Sequence, residues 1–307
     1  MRDEHGGSAR VEWNDFQIFL AIARAGSLVR AAEKVGLDPT TMGRHLRRLE
    51  TRLNATLFER SRDGQVPTEA GEALLEAVEA MAQVASQISE NASVHEGPTG
   101  AVRLSVSEGF GTWFVSRHVP SFAATYPGLT LDLVASSGFL NPSRREADIA
   151  VMLSRPKSGP LMTRKLSDYA LQVYASEDYL NQHGMPKTAA DLARNHRLVG
   201  YVPDLIYSPE LRYLSELAPN LTATIRCSSI NAQLRLVTEG AGVGVLPRFM
   251  ADANPGLVPI LPQNRIVRSF WLVTHQGTHK LARIKATRDW LIDVVARNRA
   301  SLIPDDI

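Results

Sequence analysis

The stretch "SLVRAAEKVGL", Ser27 to Leu37, leaves room for little more than two turns of helix, because Ser27 suits an N-cap and Gly36 ends the pattern. A second helix must follow almost at once. In "LDPTTMGRHLRRLE" the Asp38 carboxylate can accept from the open N–H groups of a first turn, and Pro39 fits the first helical position, where no N–H is needed. Another helix comes before both. "WNDFQIFLAIARAG" places Phe16, Phe19, Leu20 and Ala23 at helical spacing, with Asn14 as its cap and Gly26 just past its end. Short helix, glycine-containing turn and capped helix together predict a helix-turn-helix within residues 13–58.

The capped helix has two faces. Met42, Leu46 and Leu49 fall on one side, suited to packing, while Thr40, Gly43, Arg44 and Arg47 fall on the other. Gly43 is an odd choice there, since a mid-helix glycine costs about 1 kcal/mol relative to alanine. A solvated face is the ordinary reading of an isolated basic helix. The short helix and turn before Asp38 favour a recognition helix instead, entering the major groove with its N-terminal residues against the bases.

Charge is distributed to match. The chain is nearly balanced, with 34 basic and 32 acidic residues, yet Arg44 to Arg62 carries six arginines against Glu50 and Glu59, and no Lys or Arg occurs from Asp63 to His95. A polyanion is therefore expected to be met near the N-terminus only. In "LFERSRDGQVPTEAG" the Asp63-Gly64 turn suggests a two-stranded wing with Arg60 and Arg62 placed for phosphates. Thr68 then caps a long helix in which Gly71, Leu74, Val78, Met81, Ala85, Ile88 and Ala92 are spaced alternately three and four apart. This stripe predicts pairing with a second copy, through Leu74, Val78, Met81, Ala85 and Ile88. A lone surface helix could show the same stripe.

The helical texture stops at Gly97, Pro98 and Gly100. Short apolar strands then alternate with amphipathic helices ("AVRLSVS", "LTLDLVAS", "ADIAVML", "LQVYAS", "RLVGY", "TATIRCSS", "GVGVLP", "SFWLVTH"), ending in the long helix "KLARIKATRDWLIDVVARN". Alternation of this kind predicts α/β units with mostly parallel sheets. With 307 residues, 44% hydrophobic and 21% charged, the chain suits two or three domains of an ordinary soluble protein. The single cysteine allows no internal disulfide, no run reaches membrane-spanning length, and "MRDEHGGSAR" lacks a signal-peptide centre, so a cytoplasmic protein is expected.

Residues 13–307 resemble LysR-type transcriptional regulators, most specifically in "FLAIARAGSLVRAAEKVGLDPTTMGRHLRRLETRLNATLFERSRDGQVPTEAG" and more loosely in "GAVRLSVSEGF…SFAATYPGLTLDL" and "LVTEGAGVGVLPRFMA". The resemblance implies a winged helix-turn-helix over 11–67, with Asp38–Leu49 as reader, and a linker helix over 68–96 that pairs a homodimer, commonly assembled into a homotetramer on a partly palindromic operator. It also implies an effector-binding domain over 100–307, like periplasmic binding proteins: lobe I about 100–168 and 275–307, lobe II about 169–270, and a small effector in the cleft. RNA polymerase joins the partners if the protein is an activator; activator and repressor are not separated by sequence. Family members often carry serine where this chain has Gly43 and Gln-Pro where it has Pro39-Thr40, so base contacts do not transfer directly.

The expected DNA-binding residues are Ser27, Thr40, Thr41, Gly43, Arg44, Arg47, Arg48, Arg60 and Arg62. Arg44 is the first choice to read a base, because a guanidinium can bond guanine bidentately. Arg47, Arg48, Arg60 and Arg62 suit phosphates, with an ion pair on the helix surface as the other reading of Arg48. For the effector, loops at strand ends supply Ser107, Glu108, Phe110, Ser136, Ser137, Phe139, Tyr201, Ser228 and Ser229. Serines before helices suit an organic acid or other small anion, though each is also an ordinary N-cap. Glu108 weakens a simple anion site, and Phe110, Trp113 and Phe139 suggest an aromatic or apolar ligand portion. Cys227 reads as a packing residue rather than a redox sensor. "GAGVGVLP" is no dinucleotide fingerprint, since Val245 stands where a glycine is required and no helix is expected directly after it. Neither metal-ligand spacing nor a hydrolase motif occurs, so no cofactor and no enzyme are expected. The alternative is a solute-binding or enzymatic α/β protein whose N-terminal helices merely oligomerise, which predicts no salt-dependent DNA binding.

Overall fold

The computed structural model describes residues 11–61, 64–92, 97–138, 142, 146–219 and 221–304. The chain divides into two compact units, Met1–Ser93 and Val94–Ile307.

The first unit opens with α1 (Trp13–Ala25), preceded by Glu12 at the cap position; Asn14, expected as the cap, lies inside the helix. Gly26 ends α1 at φ 63°, a left-handed conformation that glycine adopts without steric cost. α2 (Leu28–Val35) follows, with Ser27 at the cap position but making no side-chain cap bond. α3 (Pro39–Leu53) runs a turn past the expected end, to a left-handed Asn54. Asp38 caps it as expected, accepting from Thr40 N at 2.8 Å and Thr41 N at 3.4 Å. Ile18, Phe19, Ile22, Ala31, Met42 and Leu49 are wholly buried among the three helices.

β1 (Phe58–Ser61) and β2 (Gly64–Pro67) form an antiparallel wing. Gln65 N donates to Gly26 O at 2.9 Å, pinning the wing to the α1–α2 turn. Thr68 caps α4 (Glu69–Ala92): its hydroxyl accepts from Gly71 N at 3.0 Å and donates to Thr56 O at 2.6 Å. The apolar stripe of α4 divides its work. Val78 is 1% exposed and sits with the half-buried Leu74 in this unit's own core, so neither is an open pairing residue as the heptad reading had it. Exposed apolar side chains toward the end of α4 include Met81, Val84 and Ala85. The Ile88 side chain lies outside the described residues.

The second unit begins with β3 (Gly100–Ser107), which leads through α5 (Glu108–Phe110) and a π-helical turn (Gly111–Val115) into α6 (Ser116–Thr125). β4 (Leu129–Ser136), β5 (Ile149–Met152) and β6 (Leu161–Ser176) follow, then α7 (Glu177–His183), α8 (Ala189–Asn195), β7 (Leu198–Tyr201), α9 (Leu214–Leu217), β8 (Ile225–Cys227) and α10 (Ile230–Thr238). β9 (Val243–Pro247), α11 (Arg248–Ala251), β10 (Leu257–Ile260), β11 (Ile266–His275), α12 (Ala282–Arg297) and α13 (Arg299–Leu302) complete it.

The strands join in the order β4-β3-β5-β11-β6-β9-β7-β8, with β10 beside β6. Two lobes share this sheet. β4, β3 and β5 run parallel, as do β8, β7 and β9, but the expectation of mostly parallel sheets fails between the groups: β11 is antiparallel to β5 and β6, and β6 is antiparallel to β9 and β10. β6 and β11 are long crossover strands that belong to both lobes, and their register shifts between Phe270 and Trp271. Only the second half of β6 is buried throughout. No helix among the described residues is long and apolar enough to cross a membrane.

Candidate DNA-reading and effector sites

The outward face of α3 is open. Thr40, Arg44 and Arg47 are exposed, while Thr41 and Gly43 are half-buried. Arg47 folds back along the helix, its Nε donating to Gly43 O at 3.2 Å. A Cβ built on Gly43 would meet nothing nearer than that guanidinium, at 3.9 Å, so no internal packing demands glycine here. The side chains of Arg44, and of Arg60 on the wing, make no hydrogen bond or ion pair with a described residue. Ser27 is half-buried at the start of α2, its carbonyl accepting from Ala31 N at 2.9 Å. Arg62 lies outside the described residues.

Arg48 is engaged elsewhere. It was expected on phosphates, but its guanidinium turns inward to Asp15 on α1, with Nε at 3.1 Å from Oδ2 and a second, shorter bond to Oδ1. Asp15 has no exposed surface and also takes His45 Nδ1 at 2.9 Å and Arg52 at 3.0 Å, so one carboxylate holds three side chains of α3. Burial by itself raises the Asp15 carboxyl, but the hydrogen bonds and charges of Arg48 and His45 outweigh it and hold it below the usual carboxylate range. The sequence signal was faint: an acid among polar residues at a helix start, its partners 30 or more residues away.

On the same unit, α1 and α4 border a groove of about 400 Å³ that includes Trp13, Leu20, Ala82 and Ala85.

In the second unit a cavity of about 30 Å³ lies where the two lobes meet at the crossover strands. Ser107, Glu108, Phe110, Ser137 and Tyr201 line it, as the sequence suggested. Ser136, Ser228 and Ser229 do not: Ser136 donates to Gly138 O at 2.6 Å, Ser228 is exposed, and Ser229 caps α10. For Ser136 and Ser229 the ordinary turn or cap role replaces the expected ligand role. Phe139 lies outside the described residues. The walls also include rings that sequence reasoning missed, Tyr169, Tyr207, Tyr213, Phe249 and Phe270, drawn from β6, β11 and the segments after β7 and β9, together with aliphatic side chains such as Leu153, Leu171 and Leu211. Burial keeps the phenols of Tyr169, Tyr201 and Tyr207 protonated, pushing Tyr207 up to about 12, with the Glu108 charge adding to the effect at Tyr207.

Glu108 clasps the lobes together. One carboxylate oxygen accepts from Ser229 Oγ at 2.7 Å and Asn231 Nδ2 at 3.0 Å, and the other from Ile230 N at 3.1 Å, all at the start of α10. Trp113 extends the clasp, its Nε1 donating to Asn231 Oδ1 at 2.7 Å. Cys227 is half-buried beside it, its Sγ donating to Ser229 O at 3.5 Å; burial pushes the thiol up, away from the reactive thiolate. In "GAGVGVLP" Gly240 takes a left-handed turn at φ 72°, while Gly242 and Gly244 serve packing, since a Cβ on Gly242 would stand 2.5 Å from Arg197 O and one on Gly244 2.6 Å from Val237. Contrary to expectation a helix does follow directly, the single turn α11.

A winged helix-turn-helix with an open basic reading face, followed by a two-lobed α/β domain with a cleft between its lobes, defines a ligand-responsive transcription regulator. The family follows from sequence comparison: residues 13–72 match the bacterial regulatory helix-turn-helix protein, lysR family, and residues 95–296 match the LysR substrate binding domain. The chain belongs to the LysR-type transcriptional regulators. It is 27% identical over 296 residues to the Mau operon transcriptional activator of Paracoccus denitrificans, covering 94% of this chain and 99% of that one. It is 26% identical over 300 residues to the regulator CrgA of Neisseria meningitidis serogroup C (strain 8013), covering 92% and 97%. A solved structure of CrgA from Neisseria meningitidis aligns with a TM-score of 0.58 at 25% identity, over 92% of this chain and 99% of that one. A solved full-length structure of an OxyR variant from Pseudomonas aeruginosa shares the fold at TM-score 0.71 and 19% identity, over 93% and 95%.

Proposed function

We propose that this regulator reads operator DNA through α3, with Arg44 on a base and Arg47 and Arg60 on phosphates. The observation that carries the reading is the unpartnered Arg44 side chain beside Gly43 on the open face of a helix whose other face is packed through Met42, Leu46 and Leu49. Thr40 and Thr41 flank the base contact, Ser27 stands at the start of α2, and Gly43 lets the helix backbone lie close to the bases. Arg62 joins the wing contacts. Arg48 acts indirectly, by holding α3 to Asp15.

Pairing of two copies uses the exposed Met81, Val84 and Ala85 on α4 and the groove against α1, continued by Ile88, which gives the homodimer from which a homotetramer is built. A small molecule enters the cleft beside Glu108. The cavity is too small for anything larger than about one or two waters. An effector must therefore part the lobes or turn the rings, so it binds the two arrangements with different affinity, as control requires. The protein works in the cytoplasm as a regulator and not as an enzyme, without a cofactor; if it activates, RNA polymerase is a further partner.

The test is binding to operator DNA across a salt series. Affinity is expected to fall steeply with salt. Arg47→Ala weakens all sequences alike and lowers the salt slope by about 1, whereas Arg44→Ala costs about 1–3 kcal/mol on the preferred operator and less on others. Equal losses on every sequence for both variants would falsify the base-reading role. Gly43→Ser is expected to keep the fold, since the position is open, but to change operator preference. Unchanged preference would make Gly43 a tolerated residue only.

A further inference from the structure

We infer that the cleft takes an organic cation, with the Glu108 carboxylate as its counter-charge and aromatic rings in its walls. The inference rests on the reading of this cleft as the effector site and goes beyond it to the ligand's charge.

Three observations converge. First, Glu108 is the only ionised side chain among the residues that line the cavity; no Lys, Arg or His of the described residues joins it. Second, the place where an anion would dock is already filled. The open N–H groups at the start of a helix favour negative charge, and here Ile230 N, together with Ser229 Oγ and Asn231 Nδ2, is spent on Glu108. A second carboxylate would find these donors taken and a like charge beside it. Third, seven aromatic rings, Tyr169, Tyr201 and Tyr207 among them, share the remaining wall with aliphatic side chains such as Leu153, Leu171 and Leu211. Ring faces carry negative potential, and desolvated cations are held against them.

The Glu108 carboxylate sits between two lobes with no described cation in ion-pair contact. Its hydrogen bonds to α10 stabilise the charge but do not neutralise it. A ligand cation entering beside it supplies the missing charge while leaving the clasp to α10 intact, so binding favours an arrangement in which both lobes touch the same carboxylate. The sequence-based expectation of an organic acid, drawn from serines before helices, is replaced: Ser136 turns, Ser229 caps, and the acid is the protein's own.

The full-length protein is titrated with three matched aromatic probes, benzyltrimethylammonium, benzoate and benzyl alcohol, and followed by thermal unfolding and calorimetry. Benzyltrimethylammonium is expected to raise Tm by about 5 °C or more at a hundred times its Kd. Glu108→Gln keeps the side chain's size and two of its acceptor contacts, and is expected to weaken that cation about tenfold or more. Tyr207→Leu, which keeps the charge and removes a ring, weakens it as well. Protection by benzoate or benzyl alcohol that is lost in Tyr207→Leu, with none from the cation, overturns the charge class and leaves the cleft as the effector site. Protection by none of the three overturns both the class and the cleft. A cation response unchanged in Glu108→Gln overturns the counter-charge role and with it the inference.

Discussion

Asp15→Ala is expected to destabilise the N-terminal unit by about 3 kcal/mol, the lower end of the range for breaking a buried ion pair by removing one partner. The lower end applies because the side chains left behind are not wholly enclosed: Arg48 is 38% exposed, Arg52 19% and His45 17%, so part of their charge can turn to water. Asp15 itself has no such outlet, being 0% exposed with each oxygen shared among α3 donors. For a unit of this size the loss corresponds to a fall in Tm of well over about 10 °C, read as an early transition in calorimetry of the full chain. DNA affinity falls with it, since α3 is held to α1 by this carboxylate on one side and by Met42, Leu46 and Leu49 on the other. A Tm within about 2 °C of the parent would show that packing alone holds the reading helix.

The same carboxylate sets a pH dependence. Its folded pKa lies below the unfolded value of about 3.9. The stabilisation is therefore fully present above that pH and is lost as pH falls through the depressed folded value. Asp15→Asn, which keeps the shape, should flatten the acid limb of the unit's stability curve.

What the sequence announces and what it hides differ by range. Asp38 and Pro39 declare the start of α3 because capping is a matter of two or three residues, and the same holds for Gly26, Gly36 and Thr68. Asp15 is silent, because its meaning lies in partners 30, 33 and 37 residues on. The stripe on α4 is legible as a stripe, but periodicity does not say which neighbour a side chain meets, and Val78 meets its own domain. β6 shows only its doubly buried half as an apolar run; its first half alternates and passes for loop. The cleft was half-legible for a related reason. Loops at strand ends pointed to Ser107 and Glu108, while the rings from β6 and β11 converge only because two crossover strands bring them there. Ser107 and Ser137 reach the cavity while Ser136 and Ser229 serve a turn and a cap, because a cap and an anion site use the same donors.

Gly71→Ala is expected to destabilise the same unit by about 1–3 kcal/mol, although helix propensity alone predicts a gain of about 1 kcal/mol from alanine. Contact geometry reverses the sign. A Cβ at Gly71 would stand 2.1 Å from Leu57 O, 3.1 Å from Leu57 C and 3.2 Å from Pro67 Cβ. Leu57 cannot withdraw cheaply, because its carbonyl accepts from Thr68 N at 3.1 Å and its N–H donates to Glu50 Oε1 at 2.8 Å, tying it to the start of α4 and to α3. The side chain of Leu57 is also in the core, at 1% exposure. An added methyl therefore pushes α4 away from the wing and from the end of the reading helix together. Chemical denaturation of the variant gives the stability loss, and operator binding should weaken in parallel as the wing arginine Arg60 shifts relative to α3. If Gly71→Ala instead raises stability, as at an exposed helical site, then α4 does not pack against the wing this closely, and the route from linker helix to reading head lies elsewhere.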